Sequence, residues 1–433
     1  MLKREDFLHG RKSIGVWGAG FIGATTAMAF ASEGVNAICY DIDERTVRGI
    51  NMGKVEVTNL EFWFGTSMEE FVNKGLVKAT SDVQDMYEPN IAVHFIAVPT
   101  EKGGEPWNEP LKIVLKHMQR IKPELVIIES TLTPNTLDEL DIEGLRIGIS
   151  PRRDWFHSPE KNLKNLKRVF GAKSPEIAAD MRTALSIVCD NLLQASNERV
   201  ASLVKSVENS LLHVPSVLAV QLAKAYPDLD VNEVLQLAST HWRIGLYYPS
   251  LGTGGYCIPV SSKYVMYGAT KPEELSILRT VLDSDAVEPY FIAEKLSKRV
   301  KGKIGVMGIS YKGDLKVHTL SPTLRIVERL KQNPDIQVLV NDPYYTADEI
   351  KSLLGVEQFD FTKSLNTFEA IVLVSDHKVY GRYPLTSLLK EIKKGCIIID
   401  NYGIWKKHSK ALHEVGIKYY RVGDPGWTLE KVE

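Results

Sequence analysis

The sequence predicts an α/β protein: two doubly wound parallel-sheet domains joined by a long central helix and a helical middle region. Three observations carry this. Short apolar strand-like runs alternate with helical stretches in both terminal thirds of the 433-residue chain. A glycine-rich strand–turn–helix signature opens the first third. From about residue 195 to 246 glycine is scarce and apolar residues recur at helical spacing. The expected domains are residues 1–195, 196–298 and 299–433.

Residues 13–17, Ser-Ile-Gly-Val-Trp, read as a buried strand running into Gly18-Ala19-Gly20-Phe21-Ile22-Gly23 and then a helical stretch. A second strand over 36–40 ends at Asp41. Glycines at this spacing, with a carboxylate about 20 residues on, form the dinucleotide fingerprint in its proper setting. Gly18 makes the tight turn, Gly20 lets the backbone meet a pyrophosphate, and Gly23 permits close helix–strand contact. Phe21 and Ile22 open the helix, whose N-terminus offers N–H groups and positive potential to phosphates. Asp41 can accept hydrogen bonds from both ribose hydroxyls and repels a 2′-phosphate, which favours NAD over NADP, although Arg45 lies nearby. A Rossmann-like NAD domain is expected.

Further buried strands are expected over 91–98, ending in Pro99-Thr100, and over 125–129, ending in Ser130-Thr131. Open parallel sheets bind ligands at the carboxyl ends of their strands, so Thr100, Ser130 and Thr131 fall where a cofactor binds. Locally Thr131, with Pro134 close behind, reads equally as a helix cap. A strand over 145–150 leads to Pro151-Arg-Arg-Asp-Trp-Phe-His157, either a substrate loop or a solvated charged one. A short strand around Arg168 follows.

Val200, Leu203, Val204, Val207, Leu211 and Leu212 mark the stripe of a long amphipathic helix, which Pro215 is expected to kink or punctuate. Lys205 and Asn209, one turn apart, share a face. A lysine between valines is either paired, because a lone buried ammonium is costly, or it snorkels at the edge of the stripe. A helix of this length with little local core suggests an oligomer interface. His241-Trp-Arg243-Ile-Gly-Leu-Tyr-Tyr248 then brings Arg243 and Tyr248 to the edge of a second glycine-rich stretch, a setting that suits a diphosphate or a sugar.

That stretch is Pro249-Ser-Leu-Gly-Thr-Gly254-Gly-Tyr-Cys257-Ile-Pro259. Its glycines permit positive φ and close approach of a ligand. Pro259 is expected to end regular structure, leaving a rigid loop that presents the Cys257 sulfur. Taken alone, it is either a site or a surface turn with an incidental thiol. Beyond it, a strand over 303–308 followed by Tyr311-Lys312 begins a second α/β unit without a full fingerprint. Later strands are expected over 337–341, 370–375 and 396–400. Lys312, just past a strand end, meets either a phosphate or solvent.

A formal net charge of −1 argues against a nucleic-acid or membrane partner. No apolar run reaches the roughly 20 residues of a spanning helix, and residues 1–7 lack the apolar core of a signal peptide. The four cysteines (39, 189, 257 and 396) form no Cys-x-x-Cys, so no metal is expected, and Cys39 and Cys396 read as core fillers. A reduced, cytoplasmic protein is expected.

Taken in order, these motifs resemble the UDP-glucose/UDP-N-acetylmannosamine dehydrogenase family of nucleotide-sugar 6-dehydrogenases, over essentially the whole chain. The resemblance rests on the Gly18–Gly20–Gly23 fingerprint with Asp41, Val-Pro-Thr100, Glu129-Ser-Thr131 and Val-Lys205-x-x-x-Asn209. It continues through Gly-Thr-Gly-Gly-Tyr-Cys257-Ile-Pro, Tyr311-Lys312 with Ser321-Pro322, and Asn-Asp342-Pro343. It implies NAD as cofactor, a UDP-sugar substrate, a homodimer through the central helix, and two hydride transfers at C6 of the sugar. It assigns Cys257 as the nucleophile of a thiohemiacetal and then a thioester, with Lys205 and Asn209 stabilising the oxyanion and Thr131 holding a water. Lys312, Arg243, Tyr248 and Gly254 would contact the substrate, Arg243 from a neighbouring subunit.

The departures from the family pattern are specific. Arg152 and Ser261 stand where carboxylates are usual, and Lys316, Val317 and Thr319 replace an acidic pair and an arginine that contacts NAD. Both lost carboxylates belong to the handling of water, and losing such a group costs about 10²–10⁴ in rate. Asp154 is one candidate to compensate. The resemblance therefore leaves three outcomes: full oxidation to the uronate, oxidation arrested at the aldehyde or thioester, or a non-catalytic nucleotide-sugar-binding relative.

Overall fold

Ser13–Trp17 forms strand β1, buried at all five positions as a strand covered on both faces must be. It leads into helix α1 (Phe21–Ser32), in which every residue from Gly23 to Ala31 is buried. The computed structural model describes residues 1–55, 61–140, 142–155 and 158–430. Two compact units divide the chain: Met1–Glu208 with Tyr264–Thr270, and Asn209–Lys263 with Lys271–Glu433.

In the first unit β1 is joined by β2 (Ala37–Tyr40), β3 (Val77–Thr80), β4 (Ile91–Ile96), β5 (Leu125–Ile128), β6 (Ile147–Ile149), β7 (Arg168–Ala172) and β8 (Leu192–Gln194). They form one sheet in the order β8-β7-β6-β5-β4-β1-β2-β3, parallel throughout except between β6 and β7. Strand order reverses between β1 and β4, which opens a crevice at their carboxyl ends. Apolar layers cover both faces, with Met28, Phe30, Phe95 and Phe170 on one and Trp17, Leu115, Ile128 and Ile149 on the other. Each such buried side chain contributes about 1.5–3 kcal/mol.

Helix α2 (Glu198–Ala225) contains Pro215 and continues through it. Of the two expected outcomes, a kink or an interruption, the interruption does not occur. The proline withdraws one donor from the carbonyl of Leu211, an exposed residue whose oxygen water can satisfy. Helix α3 (Val231–Ala238) starts at a cap where the Asp230 side chain accepts the Glu233 N–H. Regular structure then stops, so the helical pattern expected as far as residue 246 gives way to turns and loop over 239–257.

Helix α4 (Ile258–Tyr267) begins immediately after Cys257. Pro259 therefore opens a helix, where the expectation was that it would end regular structure. A first-turn residue needs no N–H, because the helix has no acceptor for it. Helix α5 (Ser276–Ser297) and helix α6 (Pro322–Lys331) flank the second sheet. Its strands are β9 (Gly302–Met307), β10 (Ile336–Asn341), β11 (Glu357–Gln358), β12 (Ala370–Leu373), β13 (Ile397–Asp400) and β14 (Lys418–Arg421). All are parallel, in the order β11-β10-β9-β12-β13-β14, a second doubly wound arrangement. The expected fold class is the observed one. Among the described residues no helix is long and apolar enough to cross a membrane.

Candidate active site

In the first unit the crevice is built around the glycine turn. Gly18 takes φ +86°, and a Cβ on it would lie 2.7 Å from the Ala97 carbonyl oxygen. A Cβ on Gly23 would overlap the Gly18 carbonyl, whereas one on Gly20 would meet nothing within 4 Å. Two glycines thus close the strand onto the helix, and the third faces open space where a pyrophosphate can approach. Gly20 also stands at the N-cap of α1, where no side chain caps the helix. A cleft of about 430 Å³ lies here, lined by Ala19, Gly20, Phe21, Asp43, Arg45 and Lys54 among others.

Asp41 accepts the Ala19 N–H at 2.7 Å on one carboxylate oxygen and the Asp43 N–H at 2.9 Å on the other. It pins the glycine turn to the end of β2 and keeps lone pairs for ribose hydroxyls. Arg45 is turned to Asp43, with Nε 3.2 Å from Oδ1. Arg45 is therefore spent on Asp43 and leaves the Asp41 carboxylate without an arginine partner from the α-helical residues 44–51. At the ends of β4 and β5, Thr100 Oγ1 donates to the Thr131 carbonyl at 2.6 Å and Ser130 Oγ to the Val98 carbonyl at 2.7 Å. Tyr264 reinforces this corner, its hydroxyl donating to the Thr100 carbonyl at 2.5 Å. This set of residues fits a dinucleotide.

In the loop after β6, residues 153–155 are half-buried and Pro151 and Arg152 are buried, Arg152 at 2% exposed. All five of its donor directions are used. Nε and Nη2 reach the two oxygens of Asp154, Nη1 the Ile22 carbonyl (3.1 Å) and Thr26 Oγ1 (2.6 Å), and Nη2 also Thr25 Oγ1 (2.9 Å). Glu129 completes the cluster by accepting from Thr26 and pairing with Arg168. Asp154 sits below the usual carboxylate range: burial pushes it up, but the Arg152 charge and hydrogen bonds outweigh that, and the Lys205 charge adds a smaller pull. Arg152 thus ties the loop to the first two turns of α1. Phe156 and His157, the rest of the predicted loop, lie outside the described residues.

In the second unit Cys257 is an exposed free thiol, while Cys39, Cys189 and Cys396 are buried. The loop before it is held at several points. Leu251 N–H donates to Asn401 Oδ1 at 2.8 Å, Thr253 N–H to Asp285 Oδ1 at 2.8 Å, and Gly255 N–H to the Thr319 carbonyl at 2.8 Å. Gly255 takes φ +79°, and a Cβ there would meet the Tyr311 ring at 2.8 Å; one on Gly254 would lie 2.6 Å from Tyr311 Cβ. The glycines let the loop lie flat against Tyr311. Burial, with a further push from Cys257, raises the Tyr311 phenol to about 12, so it stays a neutral donor. After the cysteine, Ser261 Oγ accepts from Asn209 Nδ2 at 2.9 Å. Ser261 is thus the partner of Asn209 where an aspartate is usual.

The remaining candidates are more dispersed. Lys312 follows Tyr311 at the end of β9 and is half-buried. Arg243 is exposed, its guanidinium 4.5 Å from the Trp242 ring centroid, and Tyr248 carries the Arg421 guanidinium 4.6 Å from its own. Lys205 lies on α2 four residues before Asn209 and is half-buried. Arg168, Tyr264, His213 and Asp285 were not singled out from the sequence; each reads there as an ordinary member of a strand or helix.

Three family models match in chain order. Residues 12–180 match the NAD binding domain of the UDP-glucose/GDP-mannose dehydrogenase family, 199–286 its central domain and 305–407 its UDP binding domain. The chain belongs to this family. It is 28% identical over 423 residues to a UDP-N-acetyl-D-mannosamine dehydrogenase of Pyrococcus horikoshii, covering 91% of this chain and 96% of the relative. An enzyme of the same description from Methanococcus aeolicus is 27% identical over 425 residues, 90% of this chain and 92% of the relative. The solved UDP-D-ManNAc dehydrogenase from P. horikoshii superposes with a TM-score of 0.81 at 26% identity, covering 95% of this chain and 99% of that one. The NAD binding domain coincides with the glycine crevice, and the protein is an NAD-dependent oxidoreductase. The UDP binding domain, containing Tyr311 and Lys312, supports a UDP-linked sugar as its substrate class.

Proposed function

We propose that the protein oxidises C6 of a UDP-linked hexose or N-acetylhexosamine to the carboxylate in two successive dehydrogenations. UDP-N-acetyl-D-mannosamine is the first substrate to test, because relatives in two archaea carry that specificity in their names. The observation that carries the reading is Cys257: an exposed thiol at the start of α4, behind a loop fixed by Asn401, Asp285 and Thr319. NAD, when bound, accepts a hydride in each oxidation.

The first step takes a hydride from C6 and a proton from its hydroxyl, giving the aldehyde. The Cys257 sulfur adds to the aldehyde carbon and the oxygen takes up a proton, forming a thiohemiacetal. Loss of a second hydride and that proton leaves a thioester, and water displaces the sulfur to give the acid. Lys205 and Asn209 supply donors to the oxygen as charge develops on it. The first turn of α4 adds positive potential beside the sulfur. Thr131 holds the water, and Asp41, Thr100, Ser130 and the Gly18–Gly23 turn hold the dinucleotide. Lys312, Arg243, Tyr248 and Gly254 line the substrate. The 1–195, 196–298 and 299–433 division serves as cofactor, dimerisation and UDP-sugar regions. Exposed Val200, Leu211, Leu212 and Leu218 on α2 support a homodimer through that helix.

One observation favours a second reading, in which thioester hydrolysis is slow. Arg152 engages both oxygens of Asp154, and Ser261 carries no charge, so neither is an acid–base group for water. Counting NADH against sugar consumed, with mass spectrometry of product and protein, decides between them. Two NADH per uronate supports full oxidation. One NADH with a mass gain on Cys257 supports arrest at the thioester. Absence of NADH with every UDP-, GDP- and dTDP-sugar tried would sink both.

A further inference from the structure

His213 is completely buried on α2, one turn beyond Asn209, and its ring touches Ser262, which follows Cys257, and Asp285, which holds Thr253 ahead of it. On one edge Nδ1 lies 3.0 Å from Oγ of Ser262, in the second turn of α4, and that hydroxyl donates onward to Ser210 Oγ at 3.2 Å. On the opposite edge Nε2 lies 3.3 Å from Oδ2 of Asp285 on α5. The two atoms lie in contact without a hydrogen bond, because Nε2 does not meet the geometry one requires. Asp285 in turn accepts both the backbone N–H and the hydroxyl of Thr253, which precedes the cysteine.

Burying an imidazole and a carboxylate costs more than an apolar contact of the same volume, so the pair is poorly explained as mere filling. What it provides is register. The Asn209–Ser261 and His213–Ser262 contacts stitch one face of α2 to α4, and Asp285 holds the glycine loop on the far side of the same ring. Burial pushes the Asp285 carboxyl up, but the close approach of His213 and the two hydrogen bonds from Thr253 outweigh it and hold the group below its ordinary range.

We propose that His213 is a positioning residue: by bridging Ser262 and the Asp285–Thr253 pair, it fixes the Cys257 sulfur relative to the Asn209 amide. This rests on the reading of Cys257 as nucleophile. A displacement of an ångström at a reacting atom is enough to cost on the order of 10²-fold in rate. His213→Leu keeps the volume and removes both contacts; His213→Asn keeps an amide where Nδ1 stood, and with it the link to Ser262.

With NAD and UDP-N-acetyl-D-mannosamine, His213→Leu is expected to lower kcat at least about tenfold while KM for NAD stays within about twofold. Alkylation of Cys257 by iodoacetamide, followed by peptide mass, is expected to change at least about threefold, and His213→Asn, which keeps one of the two contacts, to recover part of both. Equal losses in the two variants, or wild-type kcat and alkylation in His213→Leu, overturn the proposal. If His213→Leu does not fold, Ser262→Ala and Thr253→Val carry the test. Each removes one link and is expected to lower kcat at least about threefold at wild-type melting temperature; wild-type kcat in both overturns it. Cys257→Ala, assayed alongside, separates the two ideas. Full NADH formation without the sulfur removes the nucleophile and leaves alkylation to judge His213. An inactive Cys257→Ala with unaffected His213 variants removes only the positioning role.

Discussion

Arg152 and Asp154 form a two-point ion pair inside the first unit, Nε to Oδ1 and Nη2 to Oδ2 at 2.7 Å each, with both side chains at most 2% exposed. The arginine that replaces an expected carboxylate has captured the nearest remaining one. Arg152→Met leaves Asp154 buried and unpaired, and the loss in stability is expected to be about 3–5 kcal/mol. Urea unfolding of the isolated variant measures it; a change below about 1 kcal/mol would show that the pair is not the clamp described.

The same pair sets an acid limit. The pKa of Asp154 is lowered on folding from an ordinary 3.8, so its contribution is fully present above that value and is lost as the pH falls through the lower folded pKa. The stability gap between wild type and Asp154→Asn should therefore be constant from neutral pH to about 4 and narrow below it. Urea midpoints at a series of pH values test this, and a gap that narrows between pH 7 and 5 contradicts it.

Gly255→Ala meets two obstacles, a positive φ and the Tyr311 ring. Overfilling such a site costs about 1–3 kcal/mol or displaces the loop. Turnover is expected to fall more steeply than stability, because the displaced segment carries Cys257. Gly34→Ala is the control, since it has positive φ with nothing within 4 Å. Comparable kcat losses in the two variants would detach the effect from the cysteine loop.

Thiol chemistry should be selective. Cys257 is exposed, whereas burial raises the thiols of Cys39 and Cys396 to about 12. Native protein is expected to take up one equivalent of iodoacetamide, on Cys257, with loss of NADH formation. Labelling of Cys39 or Cys396 in folded protein contradicts this arrangement.

Asp41→Ala removes both the ribose acceptor and the partner of the Ala19 N–H. NAD affinity is expected to fall at least about tenfold, or about 1.4 kcal/mol, with a smaller preference over NADP. Fluorescence titration with the two dinucleotides reads both numbers directly.

Much of this architecture is legible in the sequence, and the exceptions have physical causes. Strands buried on both faces announce themselves as Val/Ile-rich runs, such as 125–128 and 370–373. The strands not singled out, β3, β8, β11 and β14, are short or lie near the sheet margins, and β11 is only Glu-Gln. The glycine fingerprint is readable because each glycine answers a steric demand. The Arg152 clamp is not, because arginine usually marks solvent and its five acceptors come from 22–26 and 154. His213 is hidden for the same reason: Ser262 and Asp285 lie 49 and 72 residues away along the chain. Pro259 misled because proline both begins and ends helices, and only the unbonded first turn tells which.

Both units are discontinuous in sequence, since Tyr264–Thr270 completes the first and residues on either side of it belong to the second. Two of the crossings fall inside α2 and α4, not in linkers. During synthesis the last segment of the first unit, Tyr264–Thr270, emerges only after α2 and the cysteine loop. A single proteolytic cut therefore cannot part the two units along their own boundary: wherever it falls, one fragment carries segments of both.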